Sequence, residues 1–256
     1  MHAHASCRFS SFRPVRVAFI IFTTLNLAIF FLISLWPPTS AEQPGLLGWL
    51  WLSADRPWGI VTSNFAHAEL PHLASNLEGF TLAAGLFVVV CLVLKVEVRR
   101  RWSRMFLWLA FLSGIIGSAI EYPVLIKSGE FSYGASGIVY GALGVLLAAC
   151  LRSLPIHMRL LTKEHRRWAQ KRRKLRLFRP DRRSLRTLPS LMSIALLASF
   201  LLLIFTDPAG FLSVAPDVDV LAHGFGFLLG LLPAVVLFRP TPANQTGRKC
   251  HAFSHY

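Results

Sequence analysis

Tyr133-Gly134-Ala135-Ser136-Gly137-Ile138-Val139-Tyr140-Gly141-Ala142-Leu143-Gly144 leads into an apolar run that occupies residues 134–151. A run of that length and character suits a helix crossing a hydrocarbon core of about 30 Å. Ser136 would then lie in the first turn of a membrane helix. Backbone N–H groups there have no intrahelical partner, and a developing negative charge can be stabilised. The same small residues, Gly134, Ser136, Gly137, Gly141 and Gly144, equally suit close packing of helices in lipid. The stretch alone does not separate these two readings, but its length fixes the class of fold.

Of the 256 residues, 54% are hydrophobic and only 15% charged, too apolar a balance for an ordinary soluble domain. Five further runs, at 15–36, 71–94, 102–120, 188–206 and 218–238, are also long enough to span a membrane. The expected fold is therefore an all-α integral membrane protein with six transmembrane helices. It forms one domain, 15–238, between an amino-terminal tail (1–14) and a carboxy-terminal tail (239–256). The first run follows Arg13 and Arg16. It is too long for the apolar part of a signal peptide, and no small-x-small cleavage site follows Trp36, so it reads as a retained helix.

The net charge is +15, and its placement carries more information than its sum. With six crossings, both termini and the 95–104 and 152–187 loops share one side. That side holds every Lys and Arg except Arg56 and Lys127, which makes it the cytoplasm. Glu42, Asp55, Glu69, Glu130, Asp207, Asp217 and Asp219 fall on the other. This asymmetry accounts for the basicity without nucleic acid as a partner. The basic loop 152–187, with Lys171-Arg172-Arg173-Lys174 at its centre, is expected to touch anionic lipid headgroups. The expected location is multi-pass in a prokaryotic plasma membrane.

No metal or other cofactor is expected. Cys7, Cys91, Cys150 and Cys250 form no CxxC and read as reduced thiols. His2, His4, His251 and His255 lie in the tails without metal-ligand spacing. The external segment 37–70 is longer than a connection needs, and its Leu46, Leu47, Trp49, Leu50, Trp51, Leu52 and Trp58 suit a short helix in the membrane interface.

Three polar clusters remain inside apolar helices. His72 and Asn76, four apart after Pro71, share a face near the outer end of the second helix. His223 sits about a turn inside the sixth, where Ala222, Gly226 and Gly230 make a smooth packing face. Each would be costly in lipid and should face protein or water. The second, fourth and sixth helices run in the same direction, so Ser136, His72, Asn76 and His223 share one depth below the outer surface. A serine hydroxyl needs a base, which His223 can be, and a tetrahedral oxyanion needs donors. His72, Asn76 and the Ser136 amide can supply them. Tyr140, one turn after Ser136, can brace the imidazole. Asp219 reads as a solvated loop charge rather than a third triad member, and His67 as a loop-stabilising residue.

Gly134-x-Ser136-Gly137 with Tyr140, His72-x-x-x-Asn76, and Ala222-His223-x-x-Gly226-x-x-x-Gly230 together resemble the rhomboid intramembrane serine proteases. Trp58 and His67 also match that pattern. The resemblance spans roughly 15–238 and implies a six-helix rhomboid-like bundle. It implies Ser136 as nucleophile, His223 as general base, an oxyanion hole at His72, Asn76 and the Ser136 amide, and Tyr140 stacked on His223. Gly134 supports the dyad, and Gly137, Gly141, Gly226 and Gly230 serve helix packing. The fifth helix, 188–206, would help gate lateral access for transmembrane protein substrates. Trp58-Gly59 departs from the family's common Trp-Arg, which bears on packing of the first outer loop. Glu97-Val-Arg99 comes later than the family's Glu-x-Arg. An inactive rhomboid-like protein that binds transmembrane clients is the alternative. A proton-conducting bundle is a third reading, but the chain lacks carboxylates placed between His72 and His223.

Overall fold

The computed structural model describes residues 10–37, 45–173, 187–212 and 220–239. Glu42, Asp217, Asp219, Cys7, Cys250, the four tail histidines and residues 174–186 of the basic loop lie outside them. Among the described residues ten elements follow one another. They are α1 (Arg13–Leu35), α2 (Gly45–Leu50), α3 (Gly59–Thr62) with a 3-10 turn (Ser63–Phe65), α4 (Leu70–Cys91) and α5 (Val96–Ser128), then α6 (Ser136–Arg173), α7 (Leu188–Thr206), α8 (Pro208–Leu212) and α9 (Val220–Leu237). Six of them, α1, α4, α5, α6, α7 and α9, are long and apolar enough to cross a membrane.

Proline enters α1, α4 and α7 in the first turn, where its missing N–H costs nothing. Two helices overrun their apolar windows. The sequence suggests 102–120, but α5 runs from Val96 to Ser128, where Gly129 in the left-handed conformation (φ 73°) ends it. The run expected at 134–151 becomes α6, which starts two residues later and continues to Arg173. Arg, Lys and Glu are good helix formers, so the helix need not stop where hydropathy does. The expected basic loop is therefore helical as far as Arg173. Pro155, inside α6, lies about 30 Å from Ser136 along the axis.

The central helix is α6. Its apolar window is 78% buried, against 22% for α1 and α7, so α6 is the post around which the others stand. Phe87, Trp102 and Phe238 fill the half away from Ser136, with Trp102 stacked on Phe238 at 4.5 Å, and Phe80 and Phe106 continue the cluster toward the middle. Large apolar side chains face outward on the rim helices, among them Phe31, Leu82, Trp108, Leu202, Phe205 and Leu232. That inversion of a soluble protein's surface is what lipid requires.

Close approach of α9 to α6 rests on glycines. A Cβ on Gly226 would sit 3.1 Å from the Gly137 Cα, and one on Gly230 would sit 2.9 Å from the Gly141 Cα. On the other side of α6, a Cβ on Gly141 would run into the Ser113 side chain of α5. The first outer segment packs without the expected arginine. At Gly59 a Cβ would sit 2.7 Å from the Leu52 amide nitrogen, so only glycine fits after Trp58. Trp58 donates its indole N–H to the Trp49 carbonyl at 2.8 Å.

Candidate active site

The turn into α6 is built by elements distant in sequence. Leu52 and Ser132 exchange two backbone hydrogen bonds of 2.9 Å, pinning the approach. Gly134 then takes φ 119°, a conformation open to glycine and closed to most residues. A Cβ there would also meet the His72 ring, 2.7 Å from Cε1. The Gly134 amide donates to the Ser63 carbonyl at 2.9 Å, and the Ala135 amide to His67 Nε2 at 3.4 Å. The Ala135 carbonyl accepts the first helical bonds, from Ile138 at 3.0 Å and Val139 at 3.1 Å. The amides of Ser136 and Gly137 therefore precede the helical ladder. Ser136 itself is half-buried at the first position of α6.

One turn along α6, Tyr140 meets His223 of α9. Their rings stack with centroids 4.1 Å apart and planes 18° from parallel. Both side chains are tied to α8. The Tyr140 hydroxyl donates to the Phe211 carbonyl at 2.6 Å, and His223 Nδ1 lies 2.6 Å from the Leu212 carbonyl oxygen. A carbonyl only accepts, so Nδ1 carries the proton and Nε2 keeps its lone pair. A Cβ at Gly137 would stand 3.8 Å from the Ala222 carbonyl. The turn of α9 that carries His223 thus lies against the turn of α6 that carries Ser136.

On the opposite flank, α4 brings His72 and Asn76. The His72 ring lies over Gly134 and is edge-on to His67, with centroids 5.0 Å apart. Asn76 is buried. Its Nδ2 donates to the His72 carbonyl at 3.1 Å and lies 3.0 Å from His67 Nε2. Tyr133, 6.1 Å from His72, forms the rim, and burial together with the charge of Glu69 pushes its hydroxyl up.

The structure thus gathers Ser136, His72, Asn76, Tyr140, His223 and Gly134 at the end where α4, α6 and α9 all begin. Those three helices run in one direction, as the charge pattern requires. Gly137, Gly141, Gly226 and Gly230 lie in the α6–α9 contact. The structure adds to the reading of His67 as a loop-stabilising residue. It is fully buried and touches both Asn76 and the residue before Ser136. Burial first, and the neighbouring His72 second, lower its pKa from 6.5 to about 4, so it is neutral at physiological pH. Its position five residues before His72 was the signal available. The Ser63, Phe211 and Leu212 carbonyls gave none, because every residue has one.

The family model described as the Rhomboid domain matches residues 54–240, well over half of the chain. No curated protein and no solved structure matches it.

Proposed function

The chain belongs to the rhomboid family, and from that premise we propose that it is a serine endopeptidase hydrolysing peptide bonds in or near transmembrane segments of other membrane proteins. In this reading His223 Nε2 takes the proton of Ser136 Oγ as the oxygen attacks the scissile carbonyl carbon. The carbonyl oxygen becomes an oxyanion, stabilised by the Ser136 amide, His72 and Asn76. One such donor is worth about 2.7–4 kcal/mol in the transition state. His223 then gives its proton to the leaving amine, and an acyl-enzyme remains. Water, deprotonated by the same Nε2, attacks that ester and releases the acid with Ser136 restored.

The observation that carries this reading is the 2.6 Å contact from His223 Nδ1 to the Leu212 carbonyl. It leaves Nε2 as the unprotonated nitrogen, on a ring stacked on Tyr140, beside the turn that presents Ser136. A dyad needs that tautomer, and the Leu212 carbonyl supplies it without a carboxylate. Stacking against Tyr140 limits the ring to one plane, so little ordering remains when substrate arrives.

The same reading puts the site near the external surface of a prokaryotic plasma membrane, with both termini in the cytoplasm. Arg159, Lys163, Arg166 and Arg167 share an exposed face of the α6 extension, which we assign to anionic headgroups on the cytoplasmic side.

The test is labelling with a fluorophosphonate probe, run beside cleavage of a panel of single-span membrane reporters. Wild-type protein should label and cut, and Ser136→Ala should do neither. A folded wild-type protein that neither labels nor cuts would remove this proposal and leave an inactive binder of transmembrane clients.

A further inference from the structure

His67 stands outside the chemistry just described, and its surroundings are unusual for a loop residue. It is fully buried, and two donors converge on one ring nitrogen. Asn76 Nδ2 is 3.0 Å from Nε2 and the Ala135 amide is 3.4 Å from it. The orientation of the Asn76 carboxamide follows from its second contact. Nδ2 lies 3.1 Å from the His72 carbonyl, where Oδ1 would be repelled, so the group facing His67 is N–H. A backbone amide is also a donor. Nε2 must therefore offer a lone pair to both, and the ring proton is on Nδ1.

We infer that His67 is a positioning residue: its Nε2 lone pair holds the Asn76 carboxamide together with the amide of Ala135, the residue before Ser136, so that the oxyanion donors stand ready before substrate arrives. The physical basis is a difference in acceptor strength. A neutral imidazole accepts an ordinary hydrogen bond, whereas an oxyanion accepts a charge-assisted one roughly twice as strong. The Asn76 N–H that rests on His67 is shared with the oxyanion as charge develops, so the bond to His67 orients the donor in both states and the stronger acceptor adds its share only in the transition state. The Asn76 nitrogen needs little travel, because the His72 carbonyl fixes the other proton. Meanwhile the Gly134 and Ala135 amides are occupied by Ser63 and His67, which leaves those of Ser136 and Gly137 unspent by the turn. Tightening the transition state more than the ground state is what raises kcat. The effect should be smaller than losing a donor outright, which costs about 10²–10³-fold.

This inference rests on Ser136 acting as nucleophile, and the experiment separates the two. Kinetics on a transmembrane reporter would compare wild type, His67→Gln and His67→Leu, each also with Asn76→Ala. Gln offers an oxygen near the place of Nε2, whereas Leu offers no acceptor. His67→Leu should lower kcat about tenfold with KM unchanged, and His67→Gln should recover most of it. With Asn76 already replaced, His67→Leu should cost less than about twofold more, because residues acting through one another are not additive. Wild-type kcat in His67→Leu, no recovery in His67→Gln, or additive losses would overturn the role of His67 and leave the nucleophile standing. A wild-type protein that cuts no reporter would remove both. Nitrogen spectra of histidine-labelled wild-type protein give a readout without any variant. A bare Nε2 on His67 at neutral pH is expected, and a protonated one would overturn the inference.

Discussion

His223 Nδ1 lies 2.6 Å from the carbonyl oxygen of Leu212, a backbone group of the short helix α8. A main-chain carbonyl fixes the tautomer of an imidazole as firmly as a carboxylate does, but brings no net charge into an apolar surrounding. This bond and the stack on Tyr140 both orient the imidazole. Replacing His223 by Ala should remove peptide-bond cleavage by roughly 10²–10⁴-fold, the usual contribution of a general base. Helical content and thermal unfolding should stay close to wild type. Cleavage of a transmembrane reporter at the wild-type rate would show that another group takes the proton.

Tyr140 makes two separable contributions. Its ring stacks on His223 at 4.1 Å, and its hydroxyl donates to the Phe211 carbonyl at 2.6 Å. Tyr140→Phe keeps the stack and loses one hydrogen bond worth about 1 kcal/mol, so kcat should fall by less than about tenfold. Tyr140→Ala loses both and frees the imidazole to rotate, so its kcat should fall further, by about 10²-fold. Equal losses in the two variants would mean that the hydroxyl, rather than the ring, carries the effect.

Gly134 tests the turn itself. Its φ of 119° and the 2.7 Å approach of a would-be Cβ to His72 Cε1 both exclude a side chain. Gly134→Ala should strain the turn and push His72 away from Ser136, lowering kcat by at least about tenfold. The same strain should lower unfolding stability by about 1–3 kcal/mol. Unchanged turnover would show that the turn tolerates another conformation.

Six apolar runs made the helices legible, because lipid leaves few other solutions for such segments. Their ends were less legible. Hydropathy fades at Arg152, but Arg, Lys and Glu continue a helix readily, and α6 runs on to Arg173. Lys95 to Arg101 behave likewise ahead of Trp102, where α5 already begins at Val96. At the site, residue types carried the reading: a serine, two histidines and an asparagine are expensive in lipid and so announce themselves. His67 precedes its helix and belongs to no periodic pattern, so only the family resemblance drew attention to it. The carbonyls of Ser63, Phe211 and Leu212 were invisible in principle, because only chain geometry decides which backbone group meets which side chain.

Packing of α9 on α6 yields a matched pair of substitutions. A Cβ on Gly226 would stand 3.1 Å from the Gly137 Cα, inside normal contact with a backbone that cannot step aside. Gly85, within α4, has nothing within 4 Å of the same position. Gly226→Ala should therefore lower unfolding stability by about 1–3 kcal/mol or more, the cost of overpacking. Gly85→Ala should raise it by up to about 1 kcal/mol through helix propensity. Thermal unfolding in detergent micelles reads both. Equal stabilities in the two variants would show that α6 and α9 are not in contact through these glycines.

Titration of His67 gives a pH dependence whose sign is fixed. In the fold its pKa falls from 6.5 to about 4, because burial disfavours the imidazolium and His72 adds to the effect. An unfolded chain takes up this proton below about pH 6.5, while the folded chain takes it up only below about 4. Between those values the unfolded state binds more protons, so stability rises with pH. The contribution is complete above pH 6.5, declines as pH falls, and is lost below about 4; across the window it amounts to roughly 3 kcal/mol. His67→Gln has no proton to exchange there. The wild-type unfolding free energy should therefore drop more steeply than the variant's between pH 6.5 and 4, and run parallel to it above 7. Parallel curves throughout would show that the buried ring at position 67 titrates as it does in the unfolded chain.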